Sequence, residues 1–192
     1  PTSVDSALID QLSVNPGGAT VGSLILQGGE ITEGTLTVDT SLMWTDGAFG
    51  ASGRLIMATG STATLSGDGK GFGFGENWVI ENRGTWDVAG TAILTTQEGS
   101  ILNTGLFKFT GDGITESTSG GTLTLFFENQ SVGFIEKTSG SGSSYIKMEL
   151  QNDGTITAKS GTLELTKGGT HTGAFISNAG IVQFNGGEHR MN

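Results

Sequence analysis

The sequence predicts an all-β protein, a right-handed parallel β-helix (β-solenoid) whose short strands wind into stacked coils. Three observations support this prediction. Apolar and polar residues alternate in short runs, with the two-residue period of strands. Glycine provides 34 of the 192 residues and proline only 2, which indicates many turns without a collagen repeat. A phrase in which an asparagine and then a glycine precede a strand recurs along the chain.

The asparagine-glycine phrase has five copies. Four have the form Asn-x-Gly, and the copy at Asn129 has two extra residues before Gly133. The asparagines stand at positions 82, 103, 129, 152 and 178, so the period lies in the low to middle twenties. Such spacing is typical of a solenoid with one repeat per coil, because so small a unit must bury its apolar side on its neighbours. If a coil takes roughly 21 residues, we expect about nine coils. At one strand spacing per coil, the rod would be about 40 Å long.

We expect the asparagines to be buried and to form a ladder. An amide both donates and accepts, so it can bond to the equivalent amide in the next coil and to the turn backbone. The glycines are expected to supply a positive φ at the corner. The predicted turn ladder consists of Asn82, Gly84, Asn103, Gly105, Asn152, Gly154, Asn178 and Gly180.

The chain is expected to form a single domain over residues 1–192, with residues 1–20 as a capping segment before the stacked coils of residues 21–192. The apolar pattern of the first segment ends in the turn sequence Asn15-Pro16-Gly17-Gly18. Ser6 to Leu12 either form one or two helical turns over an open end or stay non-helical. Helix content is otherwise expected to be very low. The N-terminal proline suggests a piece of a longer polypeptide.

Strand alternation also predicts the apolar core. An antiparallel β-sandwich is the alternative fold, and it differs by hairpin contacts in place of contacts between successive coils. The residues expected to point inward are Leu24, Leu26, Leu36, Val38, Leu55, Leu65, Trp86, Val88, Phe107, Phe109, Leu123, Leu125, Ile156, Leu163, Leu165, Ile181 and Phe184.

Charge and composition exclude several classes of partner. The net charge is −10, and the 9 basic residues are dispersed among 19 acidic ones. We therefore expect no nucleic acid partner, since no basic stripe can neutralise phosphates. The longest apolar runs are only a few residues, so no membrane insertion is expected. The absence of cysteine excludes disulfides and thiolate zinc sites.

The search for catalytic chemistry finds no constellation, and we predict that the chain is not an enzyme. The two histidines are His171 and His189, which follow similar glycine pairs and are expected to stack as an exposed ladder. With Glu188 they offer a two-histidine metal site, but repeated turn composition explains them better, so no metal is predicted. The glycine-rich run 67–75 is interpreted as an extended turn; calcium binding through Asp68 and Asp112 is the alternative.

A family resemblance rests on the asparagine-glycine phrases, on the Gly-Thr-Leu phrases at Gly34, Gly121 and Gly161, and on the run 168–175. In these features the sequence resembles the Gly-rich repeat regions of large secreted or cell-surface adhesin-like proteins of the filamentous-haemagglutinin and autotransporter-passenger type. The resemblance implies a right-handed parallel β-helix and an extracellular or cell-surface rod that displays or spaces a binding surface. No site residue carries over, because the shared phrases are turn and core positions.

The expected function is that of an adhesive or structural module. Its expected partners are other copies of itself or neighbouring repeats, and cell-surface glycans or proteins. One alternative is a non-catalytic carbohydrate-binding module, with a groove lined by Trp44, Trp78 and Tyr145; another is a polysaccharide-degrading enzyme on the same fold. Asn129 begins the chain's Asn-x-Ser/Thr sequon and is a candidate glycosylation site.

Overall fold

The computed structural model describes residues 4–11, 13–67, 71–74, 77–118 and 126–192. Within these ranges all regular secondary structure is β-strand. Every strand pairing there is parallel, and the strands stack as a β-solenoid of about eight turns. The predicted fold class is confirmed, and the β-sandwich alternative is wrong because it requires antiparallel pairs.

The described strands are mostly short, apart from the third, which winds around several corners without a break. They are β1 (Val4–Ile9), β2 (Ser13–Val14), β3 (Gly17–Met57), β4 (Thr62–Ser66), β5 (Gly71–Phe74), β6 (Trp78–Asn82), β7 (Thr85–Gly90), β8 (Ile93–Thr96), β9 (Ser100–Asn103), β10 (Leu106–Gly111), β11 (Ile114–Ser117), β12 (Phe126–Asn129), β13 (Phe134–Ser139), β14 (Ser143–Lys147), β15 (Glu149–Asn152), β16 (Thr155–Ala158), β17 (Thr162–Leu165), β18 (Gly169–His171), β19 (Ala174–Ser177), β20 (Ile181–Phe184) and β21 (His189–Met191).

The solenoid has three faces, because each strand from β4 onward pairs with the strand three places later. Face A consists of β1, β4, β7, β10, β13, β16 and β19. Face B consists of β2, β5, β8, β11, β14, β17 and β20. Face C includes β6, β9, β12, β15, β18 and β21. The long strand β3 contributes to all three faces, and it pairs with β4, β5 and β6 in turn.

Coil length varies along the rod, as the register partners on successive coils show. Val4 pairs with Val21 at the start, and Thr162 pairs with Ile181 near the end. In the middle, Ile114 pairs with Tyr145, so this coil is almost twice as long as the first. The long coils are therefore internal, and the coils at the two ends are short and similar in length.

The segment expected to cap the rod contributes strands to its first coil. Residues 4–9 form β1, which pairs with β3, so the helical alternative is wrong for this part of Ser6 to Leu12. The physical reason is the two-residue alternation: Ile9 is buried whereas Leu8 is 61% exposed. An alternating pattern places one side of a strand inward, but it does not give a helix a continuous apolar side.

The predicted core is confirmed for the described residues from Leu24 to Leu165. Leu123 and Leu125 lie outside the described residues. Two predictions are wrong, since Ile181 is 58% and Phe184 is 40% exposed. Ile181 is in register with Thr162 on the outer side of face B. Phe184 stacks on buried Leu165 in the last described coil, where β20 pairs only with β17 among the described residues.

Candidate interaction surfaces

The predicted asparagine ladder links four coils. Nδ2 of Asn82 donates to Oδ1 of Asn103, Asn103 donates likewise to Asn129, and Asn129 donates to Asn152, each at 2.7 Å. All four side chains are at most 1% exposed. Each asparagine is the last residue of a face C strand, so the strand pleat turns the same amide inward in every coil. The ladder therefore holds the corner between faces C and A, and all its amides donate in one direction.

Asn178 does not belong to this ladder, contrary to the prediction. It follows β19, at the corner between faces A and B, and its side chain is exposed. The next residue in register after Asn152 is His171, which is buried. The sequence phrase therefore recurs at a different corner of the coil, where its asparagine faces solvent.

The ladder glycines are required for space, and the expectation that they supply a positive φ is wrong. Gly84, Gly105 and Gly154 are absent from the residues with positive φ. A Cβ at Gly105 would overlap the carbonyl oxygen of Gly84, and one at Gly154 would overlap that of Gly133. A Cβ at Gly180 would lie 2.7 Å from backbone in the coil below. Only glycine allows the backbones of successive coils to approach so closely.

Beyond Asn152, the two histidines continue the line of inward polar side chains. We call this line, from Asn82 to His189, the polar seam. Nε2 of His171 lies 2.9 Å from Nδ1 of His189, and Nε2 of His189 lies 3.1 Å from the carbonyl oxygen of Gly186. A carbonyl oxygen only accepts, so His189 carries its proton on Nε2 and accepts from His171 through Nδ1. This leaves Nδ1 of His171 as an acceptor. That atom and Nδ2 of Asn152 are both buried without a hydrogen-bond partner among the described residues.

Burial also sets the protonation state of His171. Desolvation, followed by the effect of His189, lowers the pKa of His171 from 6.5 to about 4. His171 is 1% exposed, so the expectation of an exposed histidine ladder is wrong. The register also differs from the expected alignment, because His189 pairs with Gly169 and not with His171. At neutral pH His171 is therefore uncharged, and it is joined to His189 through their ring nitrogens.

The geometry of the histidine pair is that of a hydrogen bond. Its two nitrogens lie 2.9 Å apart, while the Glu188 carboxylate is bound by Arg190 at 3.0 Å. Among the described residues no three His, Asp or Glu side chains form a group that could hold a metal ion. Of the two aspartates in the calcium alternative, Asp68 lies outside the described residues and Asp112 binds Lys137.

Lys137 is a buried ammonium that binds oxygen atoms of two successive coils. Its side chain is fully buried, and Nζ lies 2.6 Å from the Gly111 carbonyl oxygen, 2.9 Å from the Asp112 carboxylate and 3.1 Å from the Ser139 carbonyl oxygen. The hydroxyl of Ser144 completes the shell at 3.1 Å. Such a shell of oxygen atoms compensates for the loss of water around the charge.

The aromatic residues proposed to line a sugar groove are mostly in the core. Trp44 and Trp78 are fully buried, and both pack edge to face on Phe49, with ring centroids 4.8 and 5.0 Å apart. Their assignment as ligand residues is wrong, because each lies at an inward position of its strand. Tyr145 is partly exposed, and the Lys147 ammonium lies 5.3 Å from its ring centroid.

The candidate glycosylation site is buried in the ladder. Nδ2 of Asn129, the atom to which a glycan would be attached, donates to Asn152 at 2.7 Å and to the Gly133 carbonyl oxygen at 3.3 Å. Asn129 is 1% exposed. The folded chain therefore does not offer this nitrogen for modification.

A polar cleft of about 350 Å³ lies on face C near the end of the rod. It spans three successive coils, since β18 pairs with β15 on one side and with β21 on the other. The cleft is lined by Glu149, Lys167, Gly169, Thr170, Glu188 and Arg190.

The last coil also exposes apolar side chains. Ile176 is 45%, Ile181 58%, Phe184 40% and Met191 59% exposed. At the other end of the rod, an apolar hollow of about 120 Å³ is lined by residues that include Ala7, Ile9, Val14 and Leu24. Both ends therefore present apolar surface.

No protein-family model, curated protein or solved structure matches the chain. The parallel β-solenoid is shown by the structure, and the resemblance to adhesin-like repeats stays a prediction from the sequence. Within the described ranges, no helix has the length and apolarity needed to cross a bilayer.

Proposed function

We propose that the chain is an adhesive and structural module of an extracellular or cell-surface protein, which acts as a rod with repeated contact points. The observation that carries this proposal is the regular stacking of outward side chains. On face A the Lys108 ammonium lies 3.1 Å from the Asp87 carboxylate, and Lys159 lies 2.7 Å from Glu136. Lys108 and Glu136 are themselves in register. Asp87, Lys108 and Glu136 thus form a row of alternating charge across three coils, and Lys159 reaches Glu136 from just beyond the end of β16.

Such a surface favours repetitive partners. Equivalent side chains in neighbouring coils are about 4.8 Å apart, so a partner with its own repeat meets several equivalent contacts at once. Individually weak contacts then add up to useful avidity. Partners with a repeat of their own include glycan chains, repetitive surface proteins and further copies of a solenoid.

Binding of the immobilised chain tests this function. Beads coated densely with the chain should bind cells or an array of surface glycans at least about 100-fold more strongly than the same chain presented sparsely. Equal binding at both densities, or no binding to any surface, would contradict the multivalent proposal. Release of soluble product from a polysaccharide would instead assign the chain to an enzyme.

The polar cleft favours carbohydrate binding as a second candidate. Its volume lies within the range of about 300 to 1,000 Å³ for ligand pockets, and Glu149, Lys167 and Thr170 offer donors and acceptors for hydroxyl groups. Lys167→Ala should then weaken glycan binding, whereas Lys159→Ala, outside the cleft, should not. An equal effect of the two variants would remove the cleft from consideration.

A further inference from the structure

We propose that face A is a docking surface for face A of a second copy of this chain, with the two rods side by side and running in opposite directions. This inference rests on the proposed function of a structural rod with repeated contacts, and it names the surface and the partner. Three features of the side of the rod support it: the apolar side chains on face A, the charges on face A, and the area of that face.

Face A carries much of the exposed apolar surface of the rod. Among the described residues, five of the nine exposed large apolar side chains lie on this one face: Leu8, Ile25, Met43, Phe134 and Ile176. Each of the five is between 38% and 61% exposed. Exposed apolar side chains that are gathered on one face mark an interaction surface, whereas scattered ones need no explanation.

Four of these five side chains belong to a single row along the rod, which we call the Asp87 row. Leu8 is in register with Ile25. The hydroxyl of Ser41 donates to that of Ser23 at 2.9 Å, which stacks Met43 on Ile25, since each stands two residues further along its strand. From Met43 the register partners continue through Thr64, Asp87, Lys108, Glu136, Thr157 and Ile176. The row is therefore apolar towards both of its ends and charged in the middle.

The charges of the Asp87 row are complementary to the same row in reverse. Asp87 and Lys108 are neighbours in the row, and their carboxylate and ammonium groups are 3.1 Å apart. When two such rows run in opposite directions about a two-fold axis midway between these residues, Lys108 of each copy faces Asp87 of the other. Each charge then has an opposite charge beside it in its own chain and another across the interface. A two-fold axis through Asp87 itself would bring two carboxylates together, so the charges select one register.

The register that pairs the charges also covers the apolar side chains. Counted outward from the two-fold axis along the register partners, Ile25 comes to lie opposite Ile176. Met43 comes to lie opposite Thr157, which presents a methyl group. Phe134 lies on the same face in the neighbouring row, and across the interface it is diagonal to Met43. Apolar groups therefore meet apolar groups on both sides of the charged centre.

The distribution of charge along the whole chain favours the same direction of pairing. Residues 1–53 contain six acidic residues and no Lys or Arg, whereas residues 137–192 contain five basic and four acidic residues. Two rods that run in the same direction would place their acidic segments side by side. Two rods that run in opposite directions place each acidic segment against the segment with most of the lysines, which lowers the electrostatic cost of pairing.

The area of face A is sufficient for a specific pair. The rod has about eight turns, which are spaced about 4.8 Å apart, and a strand of five residues is about 17 Å long, so each copy contributes about 650 Å². The total of about 1,300 Å² lies at the lower end of the range for specific interfaces, about 1,200–2,000 Å². We therefore expect a dimer that dissociates on dilution. Because the contact is between identical surfaces about a two-fold axis, it closes after two copies.

Sedimentation velocity of the whole chain tests the pairing. We expect a monomer that is converted to a dimer, and to nothing larger, as the concentration rises. Met43→Glu should reduce the association constant at least about 10-fold, because it places a carboxylate among apolar groups and close to Glu136 of the other copy. The matched control is Ile181→Glu, at a similarly exposed position on the outer side of face B, which should pair like the parent. Circular dichroism melting establishes that both variants are folded.

Cross-linking through introduced cysteines tests the register, since the chain itself has no cysteine. Ile25 and Ile176 are about seven coil spacings apart in one chain, which is about 34 Å, whereas two packed sheets lie about 10 Å apart. A bismaleimide that reaches about 10 Å should therefore join Ile25→Cys chains to Ile176→Cys chains in a mixture, and it should join neither variant to itself. This measurement does not require any substitution that disrupts the pair.

Three outcomes would overturn the proposal. The first is a monomer at every concentration, which leaves face A to a different occupant. The second is a dimer that survives Met43→Glu but not Ile181→Glu, which would place the contact on face B. The third is cross-linking of Ile25→Cys chains to one another, which would indicate rods that run in the same direction. A monomer that still binds cells or glycans refutes the paired rods without refuting the adhesive module, and a dimer that binds no surface does the reverse.

Discussion

Replacing Asn103 by leucine tests the ladder most directly, because this amide lies between two others. Asn103 accepts from Asn82 and donates to Asn129, and its NH₂ group also lies 3.0 Å from the carbonyl oxygen of Phe134 and 3.2 Å from that of Gly105. Leucine has nearly the same shape and no hydrogen-bonding group. The variant therefore removes the polar contacts and keeps the branching of the side chain, while its methyl groups add some volume.

The magnitude follows from which groups lose their partners. Oδ1 of Asn129 becomes a buried acceptor without a donor, which costs about 1–3 kcal/mol. Asn82 keeps its bond to the Leu106 carbonyl oxygen at 3.0 Å, so it loses only the net value of one hydrogen bond, about 1 kcal/mol. We therefore expect Asn103→Leu to lower the free energy of unfolding by about 2–4 kcal/mol.

Urea unfolding followed by circular dichroism measures this difference. The control is Asn178→Leu, at an exposed corner outside the ladder, which should change the unfolding free energy by less than about 0.5 kcal/mol. Coincident transitions at several wavelengths establish that a two-state free energy is valid for this repetitive chain. If the two variants were equally stable, the ladder would contribute nothing and our assignment of its role would be refuted.

Three further predictions concern a glycine, a lysine and a histidine. Gly105→Ala should destabilise the fold by more than about 2 kcal/mol, because its Cβ overlaps backbone, whereas Gly18→Ala, with open space around it, should be neutral or stabilising in the same thermal melts. Lys137→Met should cost about 1–3 kcal/mol by leaving the part-buried carbonyl oxygens around it without a donor, since the Asp112 carboxylate is 37% exposed and can bind water. Lys159→Met, at an exposed ion pair, should cost at most about 1 kcal/mol. A chemical-denaturation midpoint that falls no further in Lys137→Met than in Lys159→Met would contradict this. The pKa of His171 falls from 6.5 to about 4 on folding, so the unfolded chain binds more protons between these two pH values. The free energy of unfolding should therefore decrease as the pH falls through this range. Amide exchange in the last coil should show this loss, and His171→Asn should abolish it.

The sequence predicted the fold because two local signals agree with the long-range contacts. Alternation determines which side of a strand is buried, so residues such as Leu24 and Leu163 were placed correctly. The same rule would have placed the two indoles, since Trp44 shares its side of the strand with Leu42 and Trp78 shares its side with Ile80. The affinity of exposed tryptophan for sugars suggests a groove, but strand parity determines whether the side chain is exposed, and here it turns both indoles inward.

The buried positions of His171 and Lys137 were not predictable from the spacing of the asparagine-glycine motif. The coil becomes shorter after Asn152, so the next position in register is His171, whereas the phrase itself recurs only at Asn178. Lys137 has the inward parity of Ile135, but its stabilising oxygens belong partly to the turn at Gly111 and Asp112, one coil earlier. Only the three-dimensional stacking brings those oxygen atoms to the ammonium.

The uniform direction of the amide ladder has an electrostatic consequence. Each carboxamide in the seam points its NH₂ group towards the C-terminal coils, so four side-chain dipoles add instead of cancelling. The oxygen at one end, on Asn82, and the nitrogen at the other, on Asn152, are both buried and without a hydrogen-bond partner among the described residues, as the two poles of such a series would be. The negative pole lies towards the acidic N-terminal coils and the positive pole towards the histidines. The interior of the rod is therefore polarised along its axis in the same sense as its surface charge.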